Sequence, residues 1–409
     1  MGRLEAWTRL GLVAWAMAIT MARAIRYPND FAEAHWLLDY RFGFIKRGLA
    51  GSALSLASSS SLISPSERTV SLVAVAVFAV FVLLLLRAAS CLVSSDADPA
   101  VLFAAAAVFA TSPFVVMTVH FMGYLDHVFL AAALGAAWLA RSGRLWAAAA
   151  VATCGVLVHE SFVLAGLPLV LLGAGVRPAA GSRSRRLAAW PLLALPLLAA
   201  AALWVSETFL LDSVVLRNQL VTRLSAFPFV AGDMNLFVPD WLTTGSLEAW
   251  REQRHAFWRH LSDPNLLKLM VPSAALLVLA AAAVSPPGTR SRRGLAVAAA
   301  ALAPLLLHAV AWDTARIWTY TIVAGFGGVW LCGVDSRSAA AGRRWLLAAA
   351  ALVVTANIFA RSPLMDGEAE RFTAPARLLL YLPFLAGAVI ALADGWRASG
   401  ASPGRSPLE

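Results

Sequence analysis

Histidine, acidic and arginine side chains of this chain recur in clusters at the ends of long apolar runs. Carboxylates and imidazoles can act as general bases or bind a divalent cation, and guanidinium groups bind phosphate through paired hydrogen bonds. If the clusters share one membrane face, they predict a single site. The clusters comprise His120 with Asp126, the pair His159-Glu160, and His308 with Asp313 and Arg316.

The composition indicates an integral membrane protein, because 60% of the residues are hydrophobic and only 14% are charged. Apolar runs of about 15 to 20 residues can cross a bilayer as helices. They predict an all-α protein with about twelve transmembrane helices in a single polytopic domain spanning residues 1–409. The runs are 8–22, 69–86, 101–118, 124–140, 143–158, 161–175, 188–205, 266–284, 293–308, 317–333, 344–360 and 377–393.

Arginine distribution in the short loops predicts the orientation. Arginine near the ends of spans is retained on the cytoplasmic side, so both termini are expected in the cytoplasm and every His-plus-acid cluster on the opposite face. Two long outer loops follow, 24–68 and 206–265. A multi-pass location in a bacterial-type inner membrane is expected. The arginines are Arg141, Arg144, Arg183, Arg185, Arg186, Arg290, Arg292, Arg293, Arg337, Arg343 and Arg344.

The net charge of +10 does not indicate nucleic-acid binding, because the basic residues are divided between the two predicted sides of the membrane. Most of the excess follows from the cytoplasmic arginines. The arginines of the outer loops could instead bind a phosphate or pyrophosphate through bidentate contacts. Membrane lipids are therefore expected partners, and the oligomeric state is not specified by the sequence.

Both long outer loops have helical apolar spacing. In the first, Asp30 is placed to cap a short interfacial helix from Phe31 to about Tyr40. In the second, the segments 212–227 and 247–261 predict two amphipathic helices on the headgroup layer. The second loop is either a solvated lid or a flap that closes over a substrate.

The first outer loop, together with the topology, resembles the GT-C superfamily of integral membrane glycosyltransferases, which use lipid-linked sugars. In that family this loop carries an acidic residue, often in a Pro-then-Asp context before an aromatic-rich juxtamembrane helix, and Pro28-Asn29-Asp30-Phe31 is similar. The resemblance covers the topology of the whole chain and the sequence of residues 24–51. Several GT-C families have an adjacent acidic pair that this chain lacks, so either Asp30 or Asp39 could be the base. The run from Gly43 to Leu49 is also similar to transferases and polymerases of surface-polysaccharide clusters.

The resemblance implies transfer of a sugar from a polyprenyl-phosphate donor to a glycan, lipid or protein acceptor on the non-cytoplasmic face. Asp30 or Asp39 would be the base, with Glu160 a further catalytic candidate. The donor phosphate would bind Arg41, Arg47 and Arg316, and other substrate contacts would come from His120, Asp126, His159 and Asp313. A divalent metal, Mg²⁺ or Mn²⁺, is a tentative cofactor on Asp126, His159 and Glu160.

Each cluster also has a purely structural interpretation. Gly123 and Asp126 would form a capped turn, His159-Glu160 a hydrogen-bonded break between two short helices, and Asp313 with Arg316 a local ion pair.

Two other classes of function stay open. One is a metal-dependent membrane hydrolase built on His120, Asp126, His159, Glu160 and His308. The other is a transporter of lipid-linked or anionic substrates. Transporters often contain a repeat and place ionisable residues at mid-membrane, and neither feature is evident in this sequence.

Overall fold

A computed structural model describes residues 3–59, 66–95, 98–176, 190–230, 232–334, 342–364 and 368–398. Four arginines of the predicted cytoplasmic loops, Arg183, Arg185, Arg186 and Arg337, lie outside the described residues.

The described part of the chain is helical, as the sequence predicts, and contains no strand. Short 3-10 turns cover Tyr40–Phe42, Pro287–Thr289 and Ala303–Ala309, and a π turn covers Ser206–Leu210. The α-helices are α1 (Arg3–Ala22), α2 (Asp30–Trp36), α3 (Gly48–Ser59), α4 (Glu67–Val93), α5 (Pro99–Thr111), α6 (Pro113–His120), α7 (Asp126–Arg141), α8 (Leu145–Val158), α9 (Phe162–Ala165), α10 (Leu167–Gly175), α11 (Pro191–Val205), α12 (Ser213–Ser225), α13 (Met234–Thr243), α14 (Ser246–Gln253), α15 (Phe257–Leu261), α16 (Pro264–Val284), α17 (Arg290–Leu302), α18 (Thr314–Gly333), α19 (Arg343–Phe359) and α20 (Ala374–Ala398).

Several of these helices have the length and composition of membrane spans. Five segments in the described residues are long and apolar enough to cross a bilayer, and a sixth is obtained if α5 and α6, bent by 40°, form one span. The predicted count of twelve therefore stays a prediction. Helix α8, for example, has 14 residues, which is about 21 Å at 1.5 Å per residue and shorter than a hydrocarbon core of about 30 Å. The five segments are Glu67–Val93, Pro191–Leu210, Pro264–Val284, Pro287–Ala309 and Ala374–Ala391.

Two almost fully buried helices, α5 and α18, lie at the centre of the fold. Every residue of α5 from Ala100 to Thr111 is buried, as is every residue of α18 from Ile317 to Gly333. Both are rich in alanine or glycine, and small side chains let helix backbones approach closely. Phe109 and Phe326 stack between them with ring centroids 3.8 Å apart. This packing fixes the position of the first turn of α18, which carries Arg316.

Arginines of the predicted cytoplasmic loops gather at one end of the bundle. Arg141 donates to the carbonyl of Leu331 (2.6 Å), and Arg343 lies 3.4 Å from Asp98. The two outer loops meet the opposite end, where Arg26 donates to the carbonyl of His120 (2.6 Å). The fold thus segregates the two groups of residues as the charge pattern predicts.

The first outer loop differs in detail from its prediction. Asn29, and not Asp30, caps α2 by accepting a hydrogen bond from the amide of Ala32. The helix ends at Trp36 instead of continuing to about Tyr40, because Asp39 starts a separate 3-10 turn with its own side-chain cap.

In its described residues the second outer loop contains four α-helices before α16, two more than predicted. The segment 212–227 does form a helix, α12, capped by Asp212. The predicted helix over 247–261 is interrupted, and α14 and α15 take its place. Helix α13, from Met234 to Thr243, lies between these segments and was not predicted.

A buried ion network joins the first and last helices at the outer end. Glu370, whose side chain is 1% exposed, accepts from Arg23 (2.9 Å) and from Arg377 (3.0 Å). Both guanidinium groups also donate to backbone carbonyls at the end of α19, including that of Ala360. Because removing one member of a buried ion network leaves an uncompensated charge, this network fixes the outer end of α1, from which the first outer loop starts.

Labelling of single cysteines in intact cells tests the predicted orientation. With the native cysteines replaced by serine, Tyr27→Cys and Trp258→Cys should react with a membrane-impermeant maleimide, because both positions are exposed in the outer loops (85% and 73%). Ser142→Cys, at the arginine-rich end, should react only after permeabilisation. Labelling of Ser142→Cys but not of Tyr27→Cys in intact cells would reverse the orientation.

Candidate functional site

Two adjoining cavities form a cleft under the second outer loop. The first has a volume of about 480 Å³ and the second about 350 Å³, and Trp241, Ala311 and Arg316 line both. Cleft residues of the first cavity include Asn29, Asp30, Phe31, Tyr124, Asp233, Phe237, Trp312 and Asp313. Those of the second include Lys46, Arg47, His159, Glu160, Ser161 and Tyr320.

Asp30 lies at the wall of the first cavity. As the first residue of α2, directly after the cap Asn29, it is placed at the helix end that faces the cleft. The α6–α7 turn packs against this segment: Gly123 has a φ of +100°, and a Cβ there would come within 2.8 Å of Pro28. The sequence-based interpretation of Gly123 as the residue that permits a tight reversal is confirmed.

Asp39 and Arg41 lie elsewhere. The Asp39 carboxylate is 1% exposed and accepts hydrogen bonds from the amide and the guanidinium of Arg41 (2.6 to 3.1 Å). These bonds outweigh its burial and lower the pKa of Asp39. Neither residue lines the cleft. Of the two carboxylates that the sequence leaves open, only Asp30 is therefore in the cleft.

Arg47 joins three separate segments of the chain at the second cavity. Its side chain is 4% exposed and donates to both carboxylate oxygens of Glu160 (2.8 and 3.3 Å). A third nitrogen donates to His35 (3.1 Å), and the guanidinium lies 4.1 Å from the ring centre of Trp241. The backbone of Arg47 has a φ of +62°, which costs a residue with a side chain about 1 kcal/mol. Strain of this kind persists where the surrounding contacts hold the residue in place.

The pKa values of the acid and the two imidazoles around Arg47 are strongly shifted. Burial disfavours the charged form of Glu160, but the charge of Arg47 and the hydrogen bonds from its guanidinium more than offset this effect and hold the pKa of Glu160 well below its usual value. Burial and the charge of Arg47 lower the pKa of His35 to about 3 and that of His159 to about 4. Both imidazoles are thus neutral, and since His35 accepts from Arg47, its Nδ1–H donates to the carbonyl of Phe31 (2.7 Å).

The break between α8 and α9 positions His159 and Glu160. Helix α8 ends at Val158 and α9 begins at Phe162, so the pair occupies a turn between two short helices, as the apolar spacing predicts. The amide of Ser161 donates to His159 Nδ1 (3.2 Å) and closes the turn. The hydrogen-bonded turn is therefore confirmed, and the pair also lines the second cavity, while its predicted role in a site stays a prediction.

Arg316 stands between two carboxylates at the start of α18. Its guanidinium is 2.9 Å from Asp313 and 3.6 Å from Asp126. Asp313 caps α18 by accepting from the amide of Arg316, which confirms that the two share one helix face. The sequence-based prediction that Asp126 caps α7 is wrong, because Leu125 occupies the cap position. Asp126 instead accepts a hydrogen bond from the hydroxyl of Tyr320. Arg316 lines both cavities and is therefore the cation that the two cavities share.

His120 and His308 do not line either cavity. His120 ends α6 and lies 3.8 Å from Glu368. His308 faces His260 of the second outer loop, with ring centroids 5.9 Å apart.

Helix α13 roofs the cleft. Phe237 and Trp241 face the cavities from above, with Asp233 at the start of the helix. Lys46 holds the neighbouring segments in place by pairing with Glu207 (2.7 Å) and donating to the carbonyl of Thr244 (2.9 Å). The second loop is therefore attached to the first loop through side chains that line the cleft.

The proposed metal set does not assemble in the described residues. No group of three or more His, Cys, Asp or Glu side chains there could hold a metal ion. Asp126 and Glu160 are each paired with arginine, and His159 accepts from an amide through one ring nitrogen. These partners do not fit Mg²⁺ or Mn²⁺, which favour several free carboxylate oxygens, so no step is assigned to a metal.

Four residues of the cleft or its support escaped sequence reasoning: His35, Lys46, Trp241 and Tyr320. A signal existed for Trp241, since Met234, Phe237, Val238, Trp241 and Leu242 repeat at helical spacing. Lys46 and His35 are polar residues of a loop whose partners lie far away in sequence, so no local pattern identifies them.

Comparison of the chain with protein-family models, curated proteins and solved structures gave no match.

Glu160→Gln tests the pair with Arg47 through its pH dependence. At pH 7 the substitution should lower the melting temperature by about 2 °C or more, because it leaves a buried guanidinium without its counter-charge. A lowered folded-state pKa gives stability that is complete above the ordinary carboxyl pKa of about 4.3 and is lost as the pH falls below it. The difference from wild type should thus be constant between pH 7 and about pH 5.5 and shrink towards pH 3.

Asp240→Asn is the matched control, since Asp240 pairs with Arg217 on the exposed surface (52% and 37% exposed). Its effect should be close to zero throughout. Melting curves recorded by tryptophan fluorescence provide the measurement. A Glu160→Gln difference that is absent at pH 7, or that grows on acidification, would contradict the assignment.

Proposed function

We propose that this chain is a GT-C-like membrane glycosyltransferase. It transfers a sugar from a polyprenyl-phosphate donor to a glycan, lipid or protein acceptor on the non-cytoplasmic face of a bacterial-type inner membrane. The apolar helices, the first-loop resemblance and the composition of the cleft support this proposal together.

The arrangement of charge along the cleft is the observation that carries the proposal. One cavity presents the carboxylate of Asp30 among aromatic rings, and the adjoining cavity presents Lys46 and Arg47, with Arg316 common to both. Aromatic faces suit the apolar faces of a sugar, and a carboxylate suits an acceptor hydroxyl. Clustered cations suit a phosphate. A sugar phosphate in such a cleft would have its sugar beside Asp30 and its phosphate beside the cations, which is the arrangement that transfer requires.

In the proposed reaction Asp30 accepts the proton of the acceptor hydroxyl as its oxygen attacks the anomeric carbon. The bond from that carbon to the phosphate oxygen breaks, and the polyprenyl phosphate leaves with the bonding electrons. Arg316, aided by Lys46 and Arg47, stabilises the negative charge that develops on the leaving phosphate. The aromatic roof from α13 excludes water, which would otherwise hydrolyse the donor.

The hydrolase alternative has less support, because its five residues are dispersed. His120 lies beside Glu368, and His308 faces His260, so neither joins His159 and Glu160 in the cleft. No specific observation favours a transporter.

Replacement of the two first-loop carboxylates distinguishes catalysis from structure. Asp30→Asn should reduce kcat on the order of a hundredfold or more, the effect of losing a general base. Its melting temperature should stay near that of wild type, since Asn29 provides the helix cap.

Asp39→Asn provides the comparison, because this carboxylate is buried against Arg41 outside the cleft. We expect a lower melting temperature with most of the turnover of the folded protein retained. Turnover of a panel of polyprenyl-phosphate sugars by the purified protein gives the readout. Full activity in Asp30→Asn would rule out Asp30 as the base.

Lipid retained by the purified protein tests the phosphate contact. Mass spectrometry should detect polyprenyl phosphate bound to the wild type. Arg316→Lys keeps the charge but loses the planar fork, so the retained lipid should fall about tenfold. Asp313→Asn removes one of the two carboxylates beside Arg316, and asparagine can still cap α18, so this variant should retain the lipid. If polyprenyl phosphate is absent from the wild type, or equally abundant in Arg316→Lys, the donor assignment is wrong.

A further inference from the structure

A third cavity, with a volume of about 260 Å³, lies outside the cleft beside α3. Its polar lining consists of Arg41, Arg223, Ser55 and Ser58, and Trp36 closes one side. None of these residues lines either cavity of the cleft. The cavity is therefore a separate concave surface at the outer end of the fold.

The charges facing this cavity do not balance. Asp39 is the carboxylate nearest to the two arginines, and both of its oxygens already accept from Arg41 (2.6 to 3.1 Å). Arg223 donates one hydrogen bond to the carbonyl of Leu37 (3.3 Å) and lies 4.6 Å from the ring centre of Phe227. It forms no ion pair with a carboxylate of the described residues. Two guanidinium groups and one carboxylate leave one positive charge.

Burial makes this excess charge unfavourable without a ligand. Arg223 is half-buried, and burial, followed by the like charge of Arg41, lowers its pKa. A half-buried cation is stabilised by an anion that replaces its lost hydration. The Arg41 side chain is 59% exposed, so an anion can reach it from solvent. A planar guanidinium fork favours a tetrahedral oxyanion over a simple halide.

We infer that this cavity is a second anion site, which binds a phosphate-type oxyanion between Arg41 and Arg223. The site is independent of the activity of the cleft. Its volume is several times the roughly 30 Å³ of a water molecule, so a phosphate fits with part of the group that carries it.

Two sources of the same chemistry can supply the phosphate, a lipid headgroup or a free ion. Apolar side chains are exposed at the start of α12, the helix that carries Arg223: Val214 is 65% exposed, and Leu210, just before the helix, is 73% exposed. Such a surface suits contact with the outer headgroup layer.

Protection of a cysteine placed in the cavity reports occupancy at this site alone. In full-length protein with the native cysteines replaced by serine, Ser55→Cys reacts with a neutral maleimide. Inorganic phosphate, compared with chloride at equal ionic strength, should slow the reaction if the source is a free ion. Micelles containing phosphatidylglycerol, compared with phosphatidylcholine, should slow it if the source is a headgroup.

Arginine variants then establish which side chain binds the anion. Arg223→Gln should raise the anion concentration for half-protection about tenfold, since charge-assisted hydrogen bonds to the anion are lost. Arg223→Lys, which keeps the charge, should give a smaller increase. Arg217→Gln is the control, because it removes the same charge from the same helix at an exposed pair with Asp240, and it should leave protection unchanged.

Protection by either anion that is weakened by Arg223→Gln and not by Arg217→Gln supports the site, and the effective anion identifies the source. No protection by phosphate or phosphatidylglycerol overturns it. Equal weakening by Arg217→Gln also overturns it, because the effect would then come from general surface charge.

Discussion

The ion pair between the buried Arg47 and the partly exposed Glu160 is the interaction on which the cleft depends. It joins a strained position of the first outer loop to the turn between α8 and α9, and the same guanidinium supports Trp241 from the second loop. Replacing Arg47 by a neutral side chain would leave both Glu160 and His35 without their hydrogen-bond donor. Its left-handed backbone is tolerated because the contacts on three sides hold it there.

The rest of the site follows from helix ends that converge on this contact. The buried packing of α5 against α18 fixes the first turn of α18, and that turn presents Arg316 to both cavities. The Glu370 network fixes the outer end of α1, so the first loop leaves the bundle in a defined direction. Rigid helices therefore determine the positions of the acids and cations, and the loops supply the aromatic roof.

Local patterns in the sequence were sufficient for the features that depend on local contacts. The helical class, the reversal at Gly123, the break at His159-Glu160 and the pairing of Asp313 with Arg316 are all decided within a few residues. The number of spans could not be predicted from local patterns, because the length of an apolar run alone does not distinguish a span from a short buried helix.

Features that depend on distant partners could not be predicted. The sequence does not distinguish Asp30 from Asp39 as the base, because both are carboxylates of the same loop. The fold distinguishes them, since Asp39 pairs with Arg41 and Asp30 lines the cleft. The roof helix α13 packs against α2 of the first loop, and α14 and α15, which replace the predicted helix over 247–261, pack against the 3-10 turn Ala303–Ala309.

The pairing of Lys46 with Glu207 has a consequence for the order of events at the cleft. Glu207 belongs to the second outer loop, and Lys46 lines the second cavity. If the second cavity binds a phosphate as proposed, an oxyanion at Lys46 would compete with Glu207 for the ammonium group, and occupation of the cavity would be thermodynamically linked to attachment of the loop. The protein's own carboxylate would then act as an internal competitor, and the loop would respond to a filled cavity without any residue dedicated to that task.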